Sequence, residues 1–132
     1  MSEAEDRNEQ LVANFFATLS TGDLDRLRAL FHENASWEVM AKSDPFVGEK
    51  KGREVILQEF LAPVRGNFED GDPKVTIKRM ISKGPLVAVE TTAVGRLKSG
   101  KTYDNAYAWM IEVKDGKIFC VHEYMDSYAA RR

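Results

Sequence analysis

One hundred and thirty-two residues, 43% hydrophobic, 30% charged and 10% aromatic, make a single domain (1–132) able to bury a core of its own. Nineteen lysines and arginines against twenty-one aspartates and glutamates leave a formal net charge of −2. The basic residues are scattered along the chain, so the attraction on which nucleic-acid or membrane-surface binding depends is missing.

The longest apolar run, Ala106 to Ile111, falls far short of the ~20 residues a membrane helix needs. Acidic, polar Met1 to Gln10 has the character of neither a signal nor a transit peptide. The lone cysteine, Cys120, excludes an intramolecular disulfide and fits a reducing compartment, so the expected location is the cytoplasm.

Helices come first. Ser2 and Glu5 have capping-box spacing, Leu11, Val12, Phe15, Phe16 and Leu19 recur at helical period, and Gly22 supplies the stop. Asp23 caps a second, short helix with Leu24, Leu27, Leu30 and Phe31 on its apolar face, ended by Glu33 and Asn34. Ala35 to Met40 reads as a strand leading to a loop at Ser43-Asp44-Pro45. A third helix is expected from about Gly52 to Leu61, ending before Pro63, because the residue preceding a proline resists helical geometry. Arg65 to Pro73 reads as loop.

From Lys74 the period becomes two. Val75, Ile77 and Ile81 share one strand face, and three further strands, Leu86 to Leu97, Lys101 to Val113 and Lys117 to Met125, are joined at Ser99-Gly100 and Asp115-Gly116. Helices followed by an antiparallel meander make an α+β fold.

The turns set the register. A two-residue turn at Ser99-Gly100 places Glu90 opposite Trp109 and Thr92 opposite Tyr107. At the second hairpin, a tight Asp115-Gly116 turn puts His122 and Tyr124 beside Tyr107 and Trp109. A bulged Lys114-Asp115-Gly116 turn puts Glu123 opposite Tyr107 instead. The bulged turn is preferred, because Phe119, Val121 and Met125 then join the face of Ile111 and Trp109. The opposite face, with Ala106, Ala108, Met110, Val87, Val89 and Ala93, is also apolar, and a second subunit is its expected cover.

Gly22-Asp23-Leu24-Asp25, Ala35-Ser36-Trp37-Glu38, the stretch Gly100 to Tyr107 and His122-Glu123-Tyr124-Met125-Asp126 resemble the nuclear transport factor two-like superfamily, in its SnoaL-like and ketosteroid-isomerase-like branch. The resemblance implies a cystatin-like α+β barrel: a curved sheet wrapped around three helices in the N-terminal half, enclosing an apolar pocket, usually in a homodimer. It also implies a pocket-facing acid at Glu123. The steroid-isomerase base would fall near Val39 and its oxyanion acid near Trp109, and valine cannot take a proton. The epoxide-hydrolase site would fall on Glu90, Thr92 and Glu123 without its arginine, with Trp37 where a tyrosine is expected.

The expected function is acid–base chemistry on a compact, largely apolar carbonyl or polyketide-like molecule, as in an isomerase, cyclase or dehydratase. Glu123, Tyr107 and Glu90 are the candidate catalytic residues. Trp37, Val39, Thr92, Asn105, Trp109 and Met125 are the candidate ligand-binding ones. The alternative is a non-catalytic ligand-binding or protein-interaction module of the same fold. No cofactor is called for, and His32 and His122 lack ligand partners at metal-binding spacing. Gly95 to Thr102 matches the phosphate-loop pattern in letters, but that motif must open a helix, and here a strand follows.

Overall fold

The computed structural model describes residues 2–42 and 48–126, so the expected loop at Ser43-Asp44-Pro45 lies outside the described residues. Helix α1 (Glu3–Thr21) starts on a reciprocal cap: the Glu5 N–H donates to Ser2 Oγ, and the Ser2 N–H donates to Glu5 Oε1 at 3.0 Å. It stops at Gly22, whose left-handed φ of 76° turns the chain at little steric cost. Asp23 then accepts the Arg26 N–H and opens α2 (Leu24–Leu30).

A third helix occupies residues 53–65 as one run of α, π and α turns: Arg53–Val55, Ile56–Leu61 and Ala62–Arg65. It therefore continues past Leu61 and through Pro63, contrary to the sequence expectation. In the widened π turn the Ala62 N–H donates to the Leu57 carbonyl, five residues back. Pro63 then enters at the start of the last α turn, where a missing N–H costs least.

Six strands form one sheet in the order β2-β1-β6-β5-β4-β3. They are β1 (Phe31–Val39), β2 (Gly48–Lys51), β3 (Lys74–Lys83), β4 (Leu86–Arg96), β5 (Thr102–Lys114) and β6 (Lys117–Met125). The first strand begins earlier than its sequence suggested, and the short β2 was not anticipated. Neighbours are antiparallel except β1 and β6, which run parallel, so the sheet is mixed. Register shifts in the β1–β6, β3–β4 and β5–β6 pairs bend it around the helices. The core gathers where α1 meets the bend: Phe15 packs on Trp37, Phe16 on Trp109, and the two indoles meet edge-on at 5.7 Å.

Both hairpins differ from the expected turns. At the first, the Leu97 N–H donates to the Lys101 carbonyl across a three-residue loop whose last member, Gly100, has φ 93°. The register moves by one, so Val89 faces Trp109 and Thr91 faces Tyr107. Val87, Val89, Thr91 and Ala93 therefore turn inward, and Glu90 and Thr92 turn outward. This hairpin also ends the phosphate-loop reading, because β5 and no helix follows Lys101.

At the second hairpin the tight turn is the one present, with φ 54° at Asp115 and 71° at Gly116. Pairing starts at Lys114 with Lys117, then slips between Val113 and Glu112, where Phe119 is the extra residue. The slip restores the parity the bulged turn was expected to supply. Glu123 pairs with Trp109, and Met125 pairs with Tyr107. Glu123 thus faces inward, one pair away from its expected place opposite Tyr107. A comparable shift between Ile77 and Arg79 turns Met80 inward and leaves Ile81 72% exposed.

Candidate functional site

The concave face of the sheet and the third helix border two adjoining, half-open cavities. The inner one, ≈ 90 Å³, is walled by apolar side chains that include Leu61, Val75, Ala93 and Trp109. The outer one, ≈ 160 Å³, carries Tyr103, Asn67 and Met125. Phe60, Val64, Pro73, Tyr107 and Glu123 line both, so these residues form the waist between them. Gly95 makes room for the Pro73 wall: a Cβ there would meet the Pro73 Cα at 2.7 Å.

Glu123 is 6% exposed, and its Oε1 accepts the Trp37 indole N–H at 2.8 Å. Burial raises its pKa from 4.5 to about 7, against the opposing pull of the Trp37 hydrogen bond and the positive charge of Lys50. The carboxyl can therefore hold or release a proton near neutrality. Trp37 comes from β1 and Glu123 from the neighbouring β6, so the parallel strand pair builds this contact.

Tyr103 and Tyr107 share a hydroxyl–hydroxyl hydrogen bond, and Asn105 Nδ2 donates to the Tyr103 oxygen at 2.9 Å. Two hydroxyls own two protons and their mutual bond uses one. One phenol proton is left to donate to a guest in the outer cavity. Desolvation raises the pKa of both phenols, so both remain protonated donors. Tyr107 is also stacked on Trp109 at 5.3 Å, and Trp109 Nε1 donates to Thr91 Oγ1, which fixes the ring wall.

Of the residues singled out in the sequence, Trp37, Tyr107, Trp109, Glu123 and Met125 meet around the cavities. Asn105 stands behind the phenols, also bonding the Asp126 carbonyl, and Val39 is packed in the core at 1% exposure. Glu90 and Thr92 do not reach the site. Glu90 is exposed on the convex face and pairs with Arg79 at 2.6 Å, because the three-residue loop moved its strand by one position. The epoxide-hydrolase-like trio is therefore not assembled. His122 is convex as well, within 3.9 Å of Glu38. His32 is half-buried between the Phe119 ring and Asp115. No group of potential metal ligands forms among the described residues.

Tyr103, Thr91, Phe60 and Arg65 were missed in the sequence. Tyr103 was within reach, since it continues the alternation of Asn105, Tyr107 and Trp109. Arg65 gave no such signal: it reaches back to the end of α1, donating to the Leu19 carbonyl at 2.8 Å.

The model of the SnoaL-like domain family matches residues 12–121. This chain belongs to that family. The SnoaL-like assignment places it in the nuclear transport factor two-like superfamily, and the solved structures agree in fold. Bal32a, from a soil-derived mobile gene cassette, is 26% identical with a TM-score of 0.83, over 96% of this chain and 95% of that one. TerC, co-crystallised with polyporic acid, is 23% identical with a TM-score of 0.80, over 95% of each chain. An LEH-like epoxide hydrolase of M. tuberculosis is 21% identical with a TM-score of 0.79, over 96% of this chain and 87% of that one. No curated protein sequence matches this SnoaL-like chain. Among the described residues no helix is long and apolar enough to cross a membrane.

Proposed function

We propose that this SnoaL-like protein is a cofactor-independent acid–base enzyme that moves a proton on a small, largely apolar carbonyl or polyketide-like molecule. One observation carries the reading: a nearly dry carboxyl, Glu123, sits at the waist of an apolar cavity beside a phenol pair with a proton to spare. Glu123 is the base that takes a proton from carbon and returns it. Tyr103 and Tyr107 supply the donor for the oxygen on which charge develops. Trp37 and Trp109 orient the ring, with Asn105 and Met125 behind it. TerC, with polyporic acid in its crystals, supports a small-molecule ligand for this fold.

The deciding experiment is hydrogen exchange on an enolisable ketone in D2O. Wild type should exchange it and Glu123→Gln should not, while both bind it. Binding without exchange in wild type would instead make the protein a ligand carrier.

The second part of the reading is a homodimer in the cytoplasm. The convex face exposes Ile81, Met110 and Tyr124 around a concavity of ≈ 440 Å³ also lined by Ala88 and Ala108. The outer ion pair of Arg79 and Glu90 lies on the same face. A two-fold copy would cover this patch with itself, apolar surface against apolar surface.

A further inference from the structure

Chemistry at the waist depends on which form Glu123 takes, and the groups facing it set that balance. From β5 come the phenols of Tyr103 and Tyr107, both protonated, and from β1 the uncharged Trp37. Asp126, just past β6, adds negative charge on the Tyr103 side. The third helix contributes Arg65, which donates to the Leu19 and Ser20 carbonyls at the end of α1. A second cation, Lys50 of β2, is placed by strand register.

Lys50 stands opposite Trp37 in the β1–β2 pair, and partners across an antiparallel pair point to the same face. Trp37 points inward to Glu123, so Lys50 points inward too. Its neighbours Glu49 and Lys51 point away and pair with each other at 3.7 Å. Gly52, at φ 98°, turns the chain from β2 into the third helix, whose Phe60 ring lies under the ammonium with its centre 4.8 Å from Nζ. Phe60 packs in turn on Trp37 at 5.4 Å and lines both cavities. Among the described residues the ammonium has no carboxylate partner. Its charge faces a wall of aromatic rings, and Glu123 is bonded to the last of them.

The proton-transfer reading needs Glu123 as a carboxylate, while burial favours the neutral acid. Water between two charges weakens their attraction strongly, and hydrocarbon rings between them do so far less. Building on that reading, we infer that Lys50 is a positioning residue of the site: its ammonium, seated on Phe60, holds positive charge against the ring wall and favours the carboxylate form of Glu123, setting the pH at which the base becomes available. Lys50 lines neither cavity, so it acts on the carboxyl through its field alone. That field has the required sign, since the Lys50 charge lowers the Glu123 pKa that burial raises. The face of the Phe60 ring offsets part of the cost of drawing the ammonium out of water.

The test follows the Trp37 indole N–H, which donates directly to Glu123, by nitrogen–proton NMR across a pH titration. The chain has two tryptophans, and Trp109 donates to Thr91 instead, so only one indole signal should titrate. Its midpoint in wild type should be about 7. Lys50→Met keeps the stem against Phe60 and removes the charge, and should raise the midpoint by about half a pH unit. Lys50→Gln is the second charge-free variant, and should do the same. Lys50→Arg should restore the wild-type midpoint. Lys51→Met, which removes the same charge from the outward face, should leave it unchanged. The midpoint of ketone exchange in D2O should move with that of the indole signal. A lysine that merely props Phe60 would leave the midpoint in place. An unmoved or lowered midpoint in the charge-free variants therefore overturns the inference and leaves the proton-transfer reading intact, as does an equal rise in Lys51→Met or a failure of Lys50→Arg to restore the value. A raised midpoint in Lys50→Met, with a wild type that exchanges no enolisable ketone, upholds the role of Lys50 and overturns the proton transfer instead.

Discussion

Glu123 and Trp37 meet across the junction of the first and last strands, with the indole N–H donating to the carboxyl at 2.8 Å. This contact joins sequence positions 86 residues apart, and it holds the acid where the cavity narrows. The hydrogen bond favours the charged carboxylate and burial opposes it; burial wins, and the pKa rises to about 7. A carboxyl in this position is poised to exchange protons near neutral pH.

That shift has a cost in stability with a definite sign. Between pH 4.5 and 7 the unfolded chain releases this proton while the folded chain keeps it. The contribution of the carboxyl to folding is therefore full below pH 4.5 and lost as the pH rises through 7. Glu123→Gln keeps an acceptor for Trp37 and has no proton to lose. Wild type and variant should melt alike at pH 4.5, and the variant should gain up to about 3 kcal/mol at pH 8, from 1.36 kcal/mol per pKa unit. Urea unfolding at the two pH values measures this, and a variant less stable at pH 8 would show that the carboxylate stabilises the fold.

Catalysis should run the other way. If Glu123 is the base, kcat/KM for exchange rises with pH to a plateau, with its midpoint near the folded pKa of about 7. Trp37 emission, reporting on the same hydrogen bond, should titrate with that midpoint in wild type and lose the transition in Glu123→Gln. A flat rate profile would remove Glu123 from the chemistry.

The two phenols should substitute for each other in part. Removing either hydroxyl frees the other's proton to point into the cavity, so Tyr103→Phe or Tyr107→Phe should each lower kcat by only a few-fold. The double variant should lose about 10²–10³-fold, the usual effect of losing an oxyanion donor. Comparing single and double variants in the exchange assay decides it, and additive effects would deny that the pair works as a unit.

The sequence already carried the α+β order, the caps of the first two helices and the inward face of β5, because periodicity and capping are local. Register is not local. The strand 86–96 offered its own evidence that Glu90 faces out: Val87, Val89, Thr91 and Ala93 alternate against Ala88, Glu90, Thr92 and Val94. Reading the turn before that alternation gave the wrong face. At the second hairpin two departures, the tight turn and the extra residue Phe119, offset each other, so Glu123 came out on the expected face by a different route. The parallel pairing of β1 with β6, which creates the Glu123–Trp37 contact, has no short-range signal at all.

The corrected register has its own check. Glu90 is half-exposed and its partner Arg79 more so, both outside the cavity. Glu90→Gln and Thr92→Val should leave exchange kinetics at wild-type values. A loss of kcat in either, measured in the same assay as Glu123→Gln, would return these residues to the site.

The convex face supplies the last expectation. Ala108 lies in the middle of the sheet row that runs from Glu90 through Ala108 to Tyr124. Its side chain is exposed in one subunit, beside the exposed Met110. In a homodimer through this face it becomes buried. Ala108→Glu should then bury a second carboxylate beside Glu90, whose partner Arg79 is already engaged, a burial that costs several kcal/mol and exceeds what a small interface can spare. The folded monomer should keep its structure, because the new side chain faces water there and the repulsion from Glu90 across the strand pair is screened. Sedimentation equilibrium at micromolar concentration should give a dimer for wild type and a monomer for the variant, with superimposable circular dichroism spectra. A wild-type chain that sediments as a monomer would leave the convex face without its second copy.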